Sequence, residues 1–178
     1  MPRRVCVFGA ESTGKTTLAR DLAAHFRAPW VPEFARAHCD ARGGVLGPED
    51  APVIVAGQAA AEEAAAATLA PGALLFCDTD ALSSVIWCDL LYGGCPADMR
   101  AQAESRARRY ALYLLCEPDV PFVPDPQRCF PDPAARLAAA AHWESALQRL
   151  DLPFVRIRGA DWPTRFQLAV AAVTALRG

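Results

Sequence analysis

One glycine-containing stretch near the amino terminus constrains this chain more than any other feature: Gly9-Ala10-Glu11-Ser12-Thr13-Gly14-Lys15-Thr16-Thr17. The apolar run Arg4–Phe8 before it predicts a buried strand, and Leu18 and Leu22 after it recur at helical spacing. A strand, a glycine loop and a helix in this order predict a phosphate-binding loop. In such a loop the backbone N–H groups, together with those of the helix N-terminus, point at the anion.

The residue types in the loop suit a nucleoside triphosphate. We expect phosphate contacts from Gly9, Glu11, Ser12, Thr13, Gly14, Lys15, Thr16 and Thr17. Lys15 would reach the β- and γ-phosphates, and the Thr16 hydroxyl would bind Mg²⁺. Lys15 is the only lysine among the 18 lysine and arginine residues. A compact ammonium fits under the phosphates where a planar guanidinium does not. The sequence therefore predicts ATP and Mg²⁺ as ligands, with GTP as the alternative nucleotide.

Acidic residues follow two further apolar runs. Pro29–Pro32 predicts a second strand that is followed by Glu33, and Ala73–Cys77 predicts a buried strand that is followed by Asp78. An acid just past the carboxyl end of a strand in an open α/β sheet lies in the ligand crevice. We therefore expect Asp78 to bind Mg²⁺. Glu33 fits either a crevice residue or the acid that opens a helix. Asp80 fits either a helix N-cap or a substrate contact.

Strands and helices alternate along the rest of the chain. Further helices are predicted over Pro48–Ala70, Leu82–Tyr92, Ala97–Arg109, Arg136–Leu150 and Asp161–Arg177, and further strands over Ala111–Cys116 and Phe154–Ile157. This alternation predicts an α/β fold with a mostly parallel sheet and helices on both faces. A length of 178 residues predicts a single domain over residues 1–178. The proline-rich segment Val120–Pro133 is either a loop over the site or a stiff surface excursion. We expect a small lid over about residues 120–136.

Charge and hydropathy exclude several classes of function. A net charge of −2 and a pI of about 5.9 predict no nucleic-acid partner. Nothing approaches the roughly 18 unbroken apolar residues of a membrane-spanning helix. The few residues before the glycine loop are too short for a signal peptide. The seven cysteines include no C-x-x-C motif. They predict reduced thiols of a cytoplasmic protein, with a disulfide framework or a zinc site as the alternatives.

Five segments in order along the chain form a wider pattern: Gly9–Thr16, Val31–Arg36, Phe76–Asp80, Trp87 with Tyr92-Gly93, and Tyr113–Pro121. Together they resemble the ribosylnicotinamide kinase domain of NadR-type proteins, P-loop kinases that phosphorylate nicotinamide riboside with ATP. The resemblance covers essentially the whole chain. Two departures stand out. Phe34 occupies a position where the family usually has tyrosine. The proline-rich loop reads Asp125-Pro126-Gln127-Arg128 where the family more often has Asp-Gly-Leu-Arg.

The resemblance implies a P-loop NTPase fold with a five-stranded parallel sheet in the order 2-3-1-4-5. It implies transfer of a phosphoryl group to a nucleoside 5′-hydroxyl, with Glu33 or Asp80 as the base and Arg128 and Arg136 as lid arginines. The residues implied for the acceptor are Glu33, Arg36, Gln58, Asp80 and Trp87. Gln58 would read the carboxamide of the base. Trp87 or Trp30 would stack on the ring, with a place in the hydrophobic core as the alternative for both.

Two rival functions fit the same residues. The first is a kinase for another small nucleoside or nucleotide. The second is a nucleotide-dependent ATPase or switch module that binds a protein partner. A kinase should turn over little ATP until an acceptor is added, whereas a switch should turn over ATP alone. The exact acceptor and the oligomeric state stay open at the level of sequence.

Overall fold

The computed structural model describes residues 1–176, and within them five strands form one parallel sheet. The strands are β1 (Arg3–Phe8), β2 (Trp30–Val31), β3 (Leu74–Asp78), β4 (Tyr110–Cys116) and β5 (Phe154–Ile157). Their order is β2-β3-β1-β4-β5, and each neighbouring pair runs parallel. The predicted α/β class and the strand order 2-3-1-4-5 are confirmed.

Helices connect the strands. They are α1 (Lys15–Phe26), α2 (Phe34–Ala41), α3 (Ala51–Ala67), α4 (Ala81–Tyr92), α5 (Ala97–Ala107), α6 (Pro133–Arg149) and α7 (Trp162–Ala175), with a 3₁₀ turn over Pro48–Asp50. Several boundaries differ from prediction. Helix α3 ends at Ala67 rather than near Ala70, α5 ends at Ala107 rather than Arg109, and two helices begin earlier or differently than expected. The helix expected from Pro48 begins as that 3₁₀ turn. Helix α6 begins at Pro133 rather than Arg136, because the Asp132 side chain caps it by accepting a 2.8 Å bond from the N–H of Ala135. The predicted helix end at Arg177 lies outside the described residues.

The two faces of the sheet carry separate hydrophobic cores. Alternate residues of a strand point to opposite faces. Val5 and Val7 pack with α1 and α7 on one face. Cys6 and Phe8 pack with α4 and α6 on the other. The expected arrangement of helices on both faces is therefore present, and it buries the central strand β1 on both sides.

The parallel arrangement places five connecting loops along one edge of the sheet. The carboxyl end of β1 leads into the glycine loop, β2 leads to Glu33, and β3 ends at Asp78. Strand β4 leads into the proline-rich segment before α6. In a parallel sheet this edge forms the ligand crevice. Across residues 1–176, no helix is long and apolar enough to cross a membrane.

Candidate active site

The glycine loop between β1 and α1 has a backbone that admits only glycine at two positions. Gly9 has a φ of 138°, and a Cβ built there would lie 2.7 Å from the carbonyl oxygen of Cys116. Gly14 has a φ of 81° and directly precedes the first residue of α1. The loop therefore presents free N–H groups at the N-terminus of α1, which is the geometry of an anion site.

Lys15 and Thr13 both turn back onto the loop. The Lys15 Nζ donates a 2.7 Å hydrogen bond to the main-chain carbonyl of Ala10, and Thr13 Oγ1 donates a 2.8 Å bond to the same oxygen. Lys15 also lines the cavity above the loop. The ammonium is thus held beside the site where an anion would bind.

A single cavity of about 420 Å³ joins the glycine loop to an apolar wall. One side is formed by loop residues Glu11 to Thr17. The apolar side is formed by Leu46, Ala51, Ile54, Trp87, Cys88 and Leu91. Glu33, Arg36 and Arg128 contribute charges to the lining. The cavity therefore combines a polar half for an anion with an apolar half of the kind that takes a flat organic group.

Asp78, at the end of β3, is 0% exposed. Neither of its carboxylate oxygens has a hydrogen-bond partner within residues 1–176. Burial raises the pKa of Asp78 to about 6. The Glu33 charge adds to the rise, whereas the Lys15 charge opposes it. A buried carboxylate without a partner is unfavourable unless something binds it.

Asp78 and Thr16 fit a divalent cation. In the described part of the chain, no three His, Cys, Asp or Glu side chains are grouped as a complete metal site. Mg²⁺ in phosphoryl-transfer sites usually takes one or two protein oxygens and completes its shell with phosphates and water. The pair therefore matches the donor set expected for Mg²⁺ beside a bound nucleotide.

The structure separates the two acids that compete for the role of base. Glu33 is the N-cap residue of α2, its side chain makes no capping bond, and it lines the cavity. Asp80 does not line the cavity, and its carboxylate is bound to other residues of the protein. It accepts a 3.2 Å bond from the N–H of Ser83 and a 2.7 Å bond from the Tyr113 hydroxyl. Burial raises the pKa of Asp80 to about 7. Of the two earlier interpretations of Asp80, the structure favours the helix N-cap.

Gln58 is not among the residues that line the cavity, so it lies outside the apolar half where an acceptor would bind. Its side chain is buried, its Oε1 accepts from the N–H of Phe34 at 2.9 Å, and its Nε2 donates to Glu62 at 3.2 Å. The placement expected from the resemblance is not observed, because both ends of the amide are already bound to Phe34 and Glu62. Arg36 does line the cavity, and it pairs with Asp125 of the proline-rich segment at 3.1 Å.

The two candidate tryptophans have different surroundings. Trp87 lines the cavity. It packs edge-on against Trp143, with centroids 5.1 Å apart, and lies nearly parallel to Phe130, with centroids 6.0 Å apart and planes inclined by 12°. Trp30 packs against the core on the α1 side of the sheet. Trp87 is therefore the tryptophan that faces the site.

The two predicted lid arginines also differ. Arg128 lines the cavity and donates a 3.2 Å bond to the Ser12 hydroxyl. Arg136 lies in the first turn of α6 and is buried. Its guanidinium donates to the carbonyl oxygens of Ser12 at 2.7 Å and Val120 at 2.9 Å. The expected position of Arg136 over the phosphates is not observed, because its guanidinium is bound to these two main-chain carbonyls.

A further arginine, for which the sequence predicted no role, supports the loop. Arg165 in α7 is fully buried and donates to the carbonyl oxygens of Thr13 at 3.0 Å and Glu117 at 3.2 Å, while also pairing with Asp119. Two buried guanidinium groups thus hold the carbonyls of two consecutive loop residues, Ser12 and Thr13. An arginine inside a helical pattern usually marks a solvated face, so nothing in the sequence distinguished Arg165.

Solved structures of NadR proteins are similar to this chain over almost its whole length. A crystal structure of NadR protein in complex with NR is similar with a TM-score of 0.77 and 25% identity, covering 99% of this chain and 51% of that chain. A second, of NadR protein in complex with NAD and AMP-PNP, has a TM-score of 0.76 and 26% identity, covering 99% and 50%. The chain thus spans about half the length of the NadR chains.

A more distant structure, deoxyadenosine kinase from M. mycoides with products dCMP and a flexible dCDP bound, has a TM-score of 0.61, covering 97% of this chain and 99% of that one. At 11% identity it shows the fold alone. No curated protein matches the chain. A family model described as an AAA domain matches residues 4–165. The chain therefore belongs to this AAA-domain family, with a nucleoside-kinase-like P-loop fold that confirms its resemblance to the kinase domain of NadR-type proteins.

Proposed function

We propose that this chain is an ATP-dependent kinase that phosphorylates the 5′-hydroxyl of nicotinamide riboside to give nicotinamide mononucleotide. The observation that carries the proposal is the single cavity in which the phosphate loop, Glu33 and an apolar wall with Trp87 meet. The NadR structures, one in complex with NR and one in complex with NAD and AMP-PNP, support a site for a nucleoside beside a site for a nucleotide.

The donor half acts by positioning and by neutralising charge. The N–H groups of the loop would bind the β- and γ-phosphates. Lys15 would exchange its bond to the Ala10 carbonyl for the phosphate oxygens. Arg128 would approach from the proline-rich segment, which is the proposed lid of the single domain. Thr16 and Asp78 would hold Mg²⁺, and the bound ion would offset the negative charge of the phosphate groups.

The transfer step needs a proton acceptor near the nucleoside hydroxyl. The O5′ atom attacks the γ-phosphorus, the bond from that phosphorus to the β–γ bridging oxygen breaks, and ADP leaves with the bonding electrons. The hydroxyl proton passes to the Glu33 carboxylate. Glu33 is the proposed base because it lines the cavity, whereas the Asp80 carboxylate is bound to Ser83 and Tyr113.

The acceptor half suits a flat cationic ring. The indole of Trp87 would stack on the nicotinamide ring, and a cation on an aromatic face gains about 0.5–2 kcal/mol. Arg36, held by Asp125, would contact the ribose side of the acceptor. A kinase for another small nucleoside is the second candidate. The observation in its favour is Gln58, whose amide is turned away from the cavity and so does not read a carboxamide.

A coupled assay of ADP release tests the proposal. Nicotinamide riboside should be phosphorylated faster than adenosine, guanosine, cytidine and uridine, with little turnover when no acceptor is added. Faster turnover of cytidine or uridine would instead establish the second candidate. Strong turnover without any acceptor would favour the ATPase or switch function.

Two matched variants test the assignment of the base. Glu33→Gln should lower kcat by about 10²-fold or more with KM largely kept, since a general base contributes on that scale. Asp80→Asn removes the same charge from a carboxylate that caps α4, and asparagine caps a helix equally well. This variant should keep most of the activity. The reverse pattern would assign the base to Asp80.

A further inference from the structure

Two side chains of the phosphate loop face the lid, here residues 120–132. The Glu11 carboxylate is 8% exposed and accepts two main-chain N–H groups, that of Cys129 at 2.9 Å on Oε2 and that of Phe130 on Oε1. The Ser12 hydroxyl oxygen accepts from the N–H of Val123 at 2.9 Å. The phosphate contacts expected of these two residues are those of their main-chain N–H groups, and they stay a prediction, whereas both side chains are bound to the lid.

The charge of Glu11 makes a phosphate contact by its side chain unfavourable. A carboxylate beside a polyanion is repelled, and in a partly dehydrated site this repulsion is strong. A buried carboxylate also requires hydrogen-bond donors, and the lid backbone supplies one to each oxygen. The two lid N–H groups that Glu11 binds therefore explain why an acidic residue occupies this position.

The contacts of Glu11 and Ser12 secure both ends of the lid segment that carries Arg128. Val123 precedes Arg128, and Cys129 and Phe130 follow it directly. Arg128 itself bonds to Ser12 at 3.2 Å and lines the cavity. Beyond it, the Phe130 ring lies against Trp87 of the acceptor wall. The loop thus fixes the lid at the point where donor and acceptor halves meet.

We infer that Glu11 and Ser12 are positioning residues that hold the lid closed against the phosphate loop and so place Arg128 beside the phosphoryl group. The inference rests on the proposed kinase function for the role of Arg128. The attachment of the lid itself does not depend on which acceptor is used. Glu11 contributes more than Ser12 to the attachment of the lid, because its two hydrogen bonds have a charged acceptor and such bonds are stronger.

Hydrogen exchange of the chain without nucleotide tests the attachment. Glu11→Gln replaces one acceptor oxygen by an NH₂ group that faces a main-chain N–H, so at least one bond is lost. Exchange of peptides covering residues 120–132 should become about tenfold faster or more, the scale of losing a hydrogen bond to a charged group. Asp132→Asn is the matched control, since it makes the same charge change at the end of the lid and keeps the cap of α6. Its exchange should match wild type.

Kinetics then test whether Glu11 acts through Arg128. In the wild-type background, Glu11→Gln should lower kcat about tenfold. In an Arg128→Ala background the same change should have little further effect, because the residue that it positions is gone. Additive losses in the double variant would overturn the inference. Unchanged lid exchange in Glu11→Gln would overturn it too, and this arm is independent of the proposed function because it uses neither ATP nor acceptor.

Discussion

The side-chain oxygen of Gln58 accepts a 2.9 Å hydrogen bond from the main-chain N–H of Phe34, the first residue of α2. This bond satisfies one of the N–H groups that the start of a helix leaves free. The Phe34 ring in turn lies over Gly57, where a Cβ would come within 2.3 Å of the ring. Helix α3 therefore fixes the start of α2, and with it the backbone of Glu33.

Gln58→Leu should consequently affect stability and turnover together. It leaves the Phe34 N–H without its acceptor and removes the donor to Glu62, so we expect a loss of about 1–3 kcal/mol in the free energy of unfolding. Turnover should fall more than KM for the acceptor rises, because the Glu33 backbone loses its support. Denaturant unfolding and steady-state kinetics measure the two effects.

A matched control for this variant is Gln148→Leu. Gln148 also donates to a glutamate four residues away, Glu144, but on the exposed face of α6. Such a pair is worth only about 0.2–0.5 kcal/mol. A rise in KM alone for Gln58→Leu, with stability unchanged, would instead indicate that Gln58 reads the acceptor directly.

Lys15→Ala should remove most activity, by about 10²-fold or more, because the site loses its one ammonium facing the transferred phosphate. The fold should persist, since the Nζ makes a single bond to the Ala10 carbonyl and the carbonyl keeps the Thr13 hydroxyl as donor. Circular dichroism and the coupled assay measure fold and activity. Lys15→Arg should also be poorly active, because a planar guanidinium does not fit the loop. Near-normal turnover of either folded variant would contradict the phosphate-loop assignment.

Asp78→Asn should move stability and activity in opposite directions. In the free protein the Asp78 carboxylate is buried with both oxygens unpaired. Replacing a charge by a neutral amide of the same shape removes that unfavourable burial. The melting temperature of the metal-free protein should therefore rise, while Mg²⁺-dependent turnover falls. Scanning calorimetry without metal and a titration of turnover against Mg²⁺ measure the two. A lower melting temperature would show that Asp78 has a structural partner.

Glu63 provides a pH-dependent test of the ion pairs that join α3 to the sheet. A hydrogen bond from Arg4 lowers the pKa of Glu63 from 4.5 to about 2, with Arg109 contributing to the shift. Because the folded pKa lies below the unfolded one, this carboxylate stabilises the fold fully above about pH 4.5 and loses that effect as the pH falls toward 2. Glu63→Gln should melt below wild type at pH 7, with the gap closing in acid. A gap that is independent of pH would contradict this.

The sequence predicted those features of the fold and site that depend on local patterns along the chain. The glycine loop, the alternation of strands and helices and the acids at Glu33 and Asp78 follow from local spacing, and the resemblance supplied the strand order. Each depends on residues that are adjacent in the chain or on a parallel sheet that brings strand ends to one edge. Trp87 both lines the cavity and packs against the core, so its role in stacking on the acceptor ring stays a prediction.

The positions of Gln58, Arg136 and Arg165 were not predictable in the same way. The position of each side chain depends on a partner from a distant part of the chain: Phe34 for Gln58, and carbonyls of the glycine loop for the two arginines. A polar residue on a helix gives no sign in the sequence of whether it meets solvent, ligand or a neighbouring backbone. Arg136, expected to act over the phosphates, is bound instead to the carbonyls of Ser12 and Val120.

Trp87 should recognise the nicotinamide ring of the acceptor. Because this ring is cationic, the contact can be tested by comparing charged with uncharged acceptors. Trp87→Leu keeps an apolar, though smaller, side chain against Trp143 and Phe130 and removes the π-face. The loss of a cation–π contact of about 0.5–2 kcal/mol should raise KM for nicotinamide riboside by roughly 2- to 30-fold. KM for an uncharged nucleoside should rise less, because it lacks the cationic ring. Trp30→Leu is the control, since Trp30 packs against the opposite core. Equal rises in KM for charged and uncharged acceptors would indicate that Trp87 supplies shape rather than recognition of the cation.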